Sequence, residues 1–368
     1  MDKSTAKEYN KIKLIISLTG ILIELLFWIL IIATGLSYYI TNIGDKLFLS
    51  PLLRFYFFVV IIGAVSLIIG FPLSFYSDYI IEHRYSVSNQ TFFNWLVEKF
   101  KALIVGLVLG AVVLTIFYLM LRYYTNYWWL GTWIFLFLFS VLLSRLAPTL
   151  IFPLFYKFES LDNPEIKDKI SKLSKKYRLN VTGIFQFNLS KTTKKANAAF
   201  TGLGKSKRVI LGDTLLKDFN TDEIETIFAH EIGHYVNRHL MKGIFINGFI
   251  SLAGLYLVFT IYNIILSAQN LIPYQLEALP YLGLLFLIYT QLSGPLSNYI
   301  SRRFEYQADS FAVKTTGKIE IYKNSLQKLS KMNLADEEPH PLVEFLFYSH
   351  PSIKHRIEKI IGEKHEFI

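Results

Sequence analysis

The stretch ALIVGLVLGAVVLTIFYLML, Ala102–Leu121, runs for twenty residues without a charged side chain. At about 1.5 Å per residue, a helix of that length covers the roughly 30 Å of a bilayer's hydrocarbon layer. A helix buried in a soluble core is shorter and keeps a polar stripe. Five other runs have the same character: Ile12–Ile40, Leu52–Tyr76, Leu130–Phe155, Ile244–Leu266 and Tyr281–Ile300. The first is interrupted by Glu24, which is costly in lipid and is expected to face a polar interior. The fold class expected is therefore mainly α, a multi-pass α-helical membrane protein. The whole chain agrees: 52% of its 368 residues are hydrophobic and only 18% charged, against about 25% charged in soluble domains. So apolar a composition excludes a disordered chain. The first run far exceeds the roughly 7–15 apolar residues of a secretory signal, and no small-residue cleavage site follows it, so it is expected to remain as the first span.

Basic residues orient the spans. Lys3, Lys7, Lys11 and Lys13 precede the first, and Arg84, Lys99 and Lys101 lie between the second and third. The alternate connections are poor in Lys and Arg. The bias places the N-terminus, the 77–101 loop, the 157–240 block and the C-terminal tail in the cytoplasm. Four parts follow: spans over 1–156, a cytoplasmic α+β block over 157–240, two further spans over 241–300, and a helical cytoplasmic region over 301–368. In the block, Pro164–Tyr177 has helical spacing with Ile166, Ile170 and Leu173 on one face. Val181–Phe187, Ala196–Gly204 and Arg208–Leu211 read as strands, the last two joined by a turn at Gly204–Ser206. Asn220 with Glu223 is a capping pair opening a helix.

That helix carries the chemistry. It contains His230-Glu231-Ile232-Gly233-His234. Histidines four apart lie on one helix face and can bind one metal ion, while the glutamate beside the first can take a proton from water. The small Gly233 allows another segment to approach closely. The chain has no cysteine, so the ligands are His, Asp or Glu, and one zinc ion per chain suits two imidazoles and a carboxylate. Glu305, just past the last apolar run, is the candidate third ligand. Asp309, four residues on, is placed to accept a hydrogen bond from a ligand imidazole.

Five motifs occur in one order: Asn197-Ala198-x-Phe200-x-Gly202, Asp213-Thr214-Leu215-Leu216, the His-Glu-Ile-Gly-His sequence, Arg302-Arg303-Phe304-Glu305-Tyr306-Gln307-Ala308-Asp309 and Ser349-His350-Pro351. Over residues 50–362 the chain resembles the type I CAAX prenyl endopeptidases, integral-membrane zinc metalloproteases. The resemblance implies an α-helical barrel around a water-filled chamber, with a small soluble domain capping the zinc site. It implies that His230, His234 and Glu305 bind zinc and that Glu231 is the catalytic base. It makes His350 a donor to the transition-state oxyanion, Arg356 an electrostatic brace, and Asn197, Ala198, Ala199 and Phe200 the edge strand that docks substrate. The implied partners are a peptide or protein substrate, prenylated in the family's known cases, and the lipid bilayer; nothing points to nucleic acid. The implied location is the bacterial inner membrane or the endoplasmic reticulum.

The chain departs from the eukaryotic members of that family in having six spans rather than seven. It also reads Glu82-His83-Arg84-Tyr85-Ser86 where they carry a Glu-Glu-Lys-His-Gly-like run. Its compactness suggests a prokaryotic member. Two other readings stand beside the CAAX-type endopeptidase. One is a membrane-protein quality-control protease resembling HtpX, disfavoured by the long 1–125 region. The other is a non-hydrolytic scaffold or transporter with a structural metal site.

Overall fold

The computed structural model describes residues 3–179, 181–201 and 208–364; Gly202 and the expected turn at Gly204–Ser206 lie outside them. Six helical segments are long and apolar enough to cross a membrane: Lys3–Thr34, Pro51–Arg84, Phe92–Tyr123, Trp128–Phe155, His239–Gln269 and Leu276–Thr316. In three of them only 6% of the most apolar window is buried inside the protein. Surface that apolar on the outside of a folded chain needs lipid as its solvent.

The helices are α1 (Lys3–Thr34), α2 (Leu36–Leu47), α3 (Pro51–Phe75), α4 (Glu82–Arg84), α5 (Phe92–Tyr123), α6 (Trp128–Leu146) and α7 (Phe152–Phe155). Wider π turns at Tyr76–Ile81 and Ala147–Ile151 join α3 to α4 and α6 to α7. The second of these contains Pro148, whose missing N–H and bulky ring disrupt regular α-helical pairing. The first apolar run does not stay one helix to Ile40. Gly35 adopts φ 64° and ends α1, a backbone conformation that glycine takes without strain. The short α2 then buries Ser37, Ile40, Thr41 and Gly44, one face at helical spacing.

The soluble part begins with β1 (Phe158–Ser160), α8 (Pro164–Lys176), β2 (Gly183–Phe187), β3 (Ala198–Thr201) and β4 (Arg208–Gly212). The sheet order is β1-β2-β4-β3: β2 and β4 are parallel, and β1 and β3 run antiparallel to their neighbours. β3 is therefore an edge strand. Ile166, Ile170 and Leu173 are buried on α8, as their spacing requires. They join a core with Val209, Leu211, Ile224, Phe228 and Tyr322.

Next come α9 (Asp213–Asp218), α10 (Thr221–Val236), α11 (His239–Gln269), α12 (Leu279–Thr316), α13 (Ile319–Asn333), α14 (Pro341–Phe347) and α15 (Ile353–Lys364). The 38 residues of α12 extend about 57 Å at helical rise, nearly twice the hydrocarbon thickness. The last span thus continues without a break across residues 300 and 301 into the soluble part and packs along α10. One rigid element carries both membrane contact and the Glu305 segment.

Candidate metal centre

α10 is opened by Asn220, whose side chain accepts from the backbone N–H groups of Asp222 and Glu223, while the Glu223 carboxylate accepts from Asn220 N–H. The capping pair read from the sequence is present in full. Nearly three turns on, His230 and, one turn later, His234 project from one face of the helix. Their Nε2 atoms lie 3.1 Å apart. Glu305, from α12, brings Oε2 to 3.4 Å from His230 Nε2 and Oε1 to 3.2 Å from His234 Nε2. One ligand atom from each of the three lies within 4.8 Å of the others.

The close approach depends on Gly233. A Cβ there would meet Ala308 Cα at 3.0 Å, Ala308 O at 3.1 Å and Phe311 Cβ at 3.1 Å. Two of these are backbone atoms of α12 that cannot swing aside, so glycine lets α10 and α12 touch.

The site fits a cation. Glu305 Oε2 is buried with no hydrogen-bond partner among the described residues. Two imidazole nitrogens face the same point as this carboxylate. Burial opposes charge on the His230 imidazole, yet the Asp309 and Glu305 carboxylates prevail and push its pKa up to about 9. The surroundings of His230 thus favour positive charge. A donor set of two nitrogens and one carboxylate oxygen, with further space in front, is that of an open metal site.

The supporting residues are buried behind it. His230 Nδ1 lies 2.9 Å from Asp309 Oδ1 and 2.9 Å from Tyr322 Oη. Tyr322 donates to Asp309 Oδ1 at 2.6 Å. Arg356, from α15, clamps the same carboxylate with Nε to Oδ2 at 2.9 Å and Nη2 to Oδ1 at 2.6 Å. It also lies 3.8 Å from Glu305 Oε2.

A cavity of about 570 Å³ opens in front of the cluster, lined by Glu231, His350, Asn197, Ala198 and Phe200 among others. The Glu231 carboxyl makes no hydrogen bond or ion pair among the described residues. His350 comes within 3.5 Å of Glu305 Oε1 through its Nε2. Asn197 precedes β3, and its carbonyl accepts from Gly212 N–H at 2.9 Å. Of the expected docking residues, Ala199 is turned away: it packs with Phe187, Leu189 and Ile210 on the opposite face of the sheet, as alternation along a strand requires.

The parts played by three residues escaped sequence reasoning, although Arg302 lies within one of the five motifs. Tyr322 shares helical spacing with Ile319, Leu326 and Leu329, which marks it for the core and not for a metal site. Buried Arg302 donates to the carbonyls of Glu344, Phe345 and Tyr348. It thereby ties the segment leading to His350 onto α12. His239 follows the ligand helix by three residues and bonds to His234; its one signal was a third histidine just past the helix end.

Residues 160–364 match the model of peptidase family M48, and residues 2–157 match that of the CAAX prenyl protease N-terminal region, described as five membrane helices. The described residues over that range hold four helices of spanning length together with the short α2. The uncharacterized metalloprotease YhfN of Bacillus subtilis is 28% identical over 99% of this chain and 86% of its own length. The CAAX prenyl protease 1 homolog of Arabidopsis thaliana is 31% identical over 81% of this chain and 71% of that relative. CAAX prenyl protease 1 of Saccharomyces cerevisiae is 29% identical over 83% and 72%. The crystal structure of Ste24p from S. mikatae superposes with a TM-score of 0.87, at 24% identity, covering 98% of this chain and 90% of that one.

Proposed function

The chain belongs to peptidase family M48, and from that premise we propose that it is a zinc-dependent endopeptidase that removes C-terminal residues from CAAX-type substrates. It is a multi-pass membrane metalloprotease acting on peptides or proteins, which sets aside the non-hydrolytic reading. Zinc, the prenylated substrate and the residue roles are our inference. The observation that carries it is the convergence of His230, His234 and Glu305 within 4.8 Å, with an unengaged Glu231 beside them at a cavity.

In this reading His230, His234 and Glu305 hold the ion. When bound, it supplies Lewis-acid polarisation and water activation at neutral pH. Glu231 accepts the proton of the attacking water and returns it to the leaving amine nitrogen. His350 donates to the carbonyl oxygen as that oxygen gains charge. Asp309 holds the His230 ring through its Nδ1 proton, and Arg356 offsets the two buried carboxylates. The open edge of β3 pairs with the substrate backbone, presenting its side chains alternately to the cavity. The bilayer delivers a lipid-modified chain terminus to this depth. The N-terminus of α1 lies at the same end as the soluble part, because Asn10 donates to Leu334 O at 2.6 Å. Together with the basic N-terminal tail, this supports a cytoplasmic catalytic face.

The test is purified protein in detergent, with metal content measured and a farnesylated CAAX peptide assayed beside its unmodified counterpart. Glu231→Gln is expected to keep its metal and lose about 10²–10⁴-fold in turnover. Cleavage at the wild-type rate by that variant would remove Glu231 as the base. Glu305→Ala is expected to lower bound zinc, and unchanged stoichiometry would remove Glu305 from the ligand set. A preference for the unmodified peptide would overturn the prenyl specificity.

A further inference from the structure

The roles assigned above leave one buried imidazole unexplained. His239 opens α11 and is only 4% exposed. Its Nδ1 lies 3.1 Å from His234 Nδ1, and its Nε2 lies 2.9 Å from Gln307 Oε1. Its ring stacks on Phe304, with centroids 4.4 Å apart and planes 7° from parallel. The turn that delivers it is unusual: Arg238, a non-glycine residue, adopts φ 56° between α10 and α11. This left-handed step brings residue 239 back beneath the ligand helix.

We propose that His239, held by Gln307, is a positioning residue for His234 that fixes that ligand's tautomer and ring orientation through a neutral imidazole relay. The proposal rests on the metal-centre reading. A ring that offers Nε2 to a cation keeps its proton on Nδ1. His234 Nδ1–H then donates to His239 Nδ1, which must be bare. His239 in turn carries its proton on Nε2 and donates it to the Gln307 carbonyl oxygen. Each link has one donor and one acceptor, and a doubly protonated His239 would set N–H against N–H at the first. The two histidine ligands are therefore supported differently. His230 leans on a carboxylate, whereas His234 leans on a neutral ring. A carboxylate at that place would add a further buried negative charge beside Glu305 and Asp309. Phe304 and Gln307 flank Glu305 on α12, so one helix supplies both the third ligand and the backstop of the second.

The test is zinc affinity of the metal-free protein in detergent, measured in competition with a chromophoric chelator. His239→Phe keeps a ring for the Phe304 stack and removes the acceptor; affinity is expected to fall about 10–100-fold. His239→Gln restores an acceptor for His234 and a donor for Gln307, and is expected to recover most of that loss. Gln307→Leu is expected to weaken binding on its own and to add little to His239→Phe, because the chain is already cut. Wild-type affinity in His239→Phe would overturn the proposal, as would His239→Gln binding no better than His239→Phe, or fully additive losses in the double variant. If His239→Phe does not fold, as thermal unfolding of its metal-free form would show, Gln307→Leu decides alone, and unchanged affinity there overturns the relay. Failure of wild-type protein to take up zinc would instead sink the metal-centre reading on which the relay stands.

Discussion

His230 lies against two carboxylates, and that contact has a consequence for the metal-free protein. Its pKa is raised to about 9 in the folded state, against an ordinary value near 6.5 in an unfolded chain. A group whose pKa is raised on folding contributes stability that is fully present below its unfolded value and is lost as pH rises through its folded value. The unfolding temperature of the metal-free protein should therefore fall between about pH 6.5 and 9. Zinc-loaded protein should not show that fall, because the ion replaces the proton. A flat profile without metal would mean that His230 is not held charged by its neighbours. At this scale the His230/His234 pair was legible because i, i+4 spacing on a helix is a local relation that the chain displays directly. Asp309 was legible for the same reason. The parts played by Tyr322, Arg302 and His239 were not, since they come from contacts between different elements, which spacing along one helix does not display.

Among the elements, the contact of α10 with α12 sets the distance between the histidine pair and Glu305. Gly233 is the point of closest approach. A methyl group there meets α12 backbone at 3.0 and 3.1 Å, so Gly233→Ala should force the helices apart and cost about 1–3 kcal/mol in stability, as overpacking does. The displacement acts on ligand geometry as well, so zinc affinity should fall with it. Calorimetric unfolding and chelator competition on the same preparation would check both. Wild-type values in each would show that the helices can yield without harm. The role of Gly233 could be anticipated because a glycine inside a helix, between two histidines of one face, costs helix stability unless another segment must come close. The unbroken passage of α12 through residue 300 could not, because hydropathy marks where lipid ends and is silent on whether the helix ends there. The break at Gly35 was hidden likewise: apolar residues on both sides of it kept the run continuous while the backbone turned.

For the whole molecule, the question is what joins the membrane half to the soluble half beside β3. Glu82, at the end of the second span, accepts from Tyr9 Oη at 2.5 Å on the first. It lies 3.2 Å from Lys13 Nζ and 2.9 Å from Lys195 Nζ. Lys195 immediately precedes the Ala196–Phe200 segment at the cavity. The neighbouring backbone continues the join: Lys194 N–H donates to Val87 O at 2.9 Å, and Asn89 N–H to Thr192 O at 3.1 Å. Glu82 and the Val87–Asn89 segment thus form the seam between the spans and the lead into β3. Six spans were legible from apolar length alone; this seam was not, because its residues are scattered charges from three distant segments. With a side chain only 15% exposed, Glu82 lies where charge-assisted bonds are worth about 1.5–3 kcal/mol. Glu82→Gln keeps the shape and removes the charge facing both lysines. It should raise amide hydrogen exchange over residues 191–201 by an opening free energy of about that size, and raise KM for a peptide substrate while leaving zinc content unchanged. Loss of zinc together with faster exchange would mean that the seam supports the metal centre itself. Unaltered exchange would mean that the backbone pairing of 87–89 with 192–194 holds the strand without Glu82.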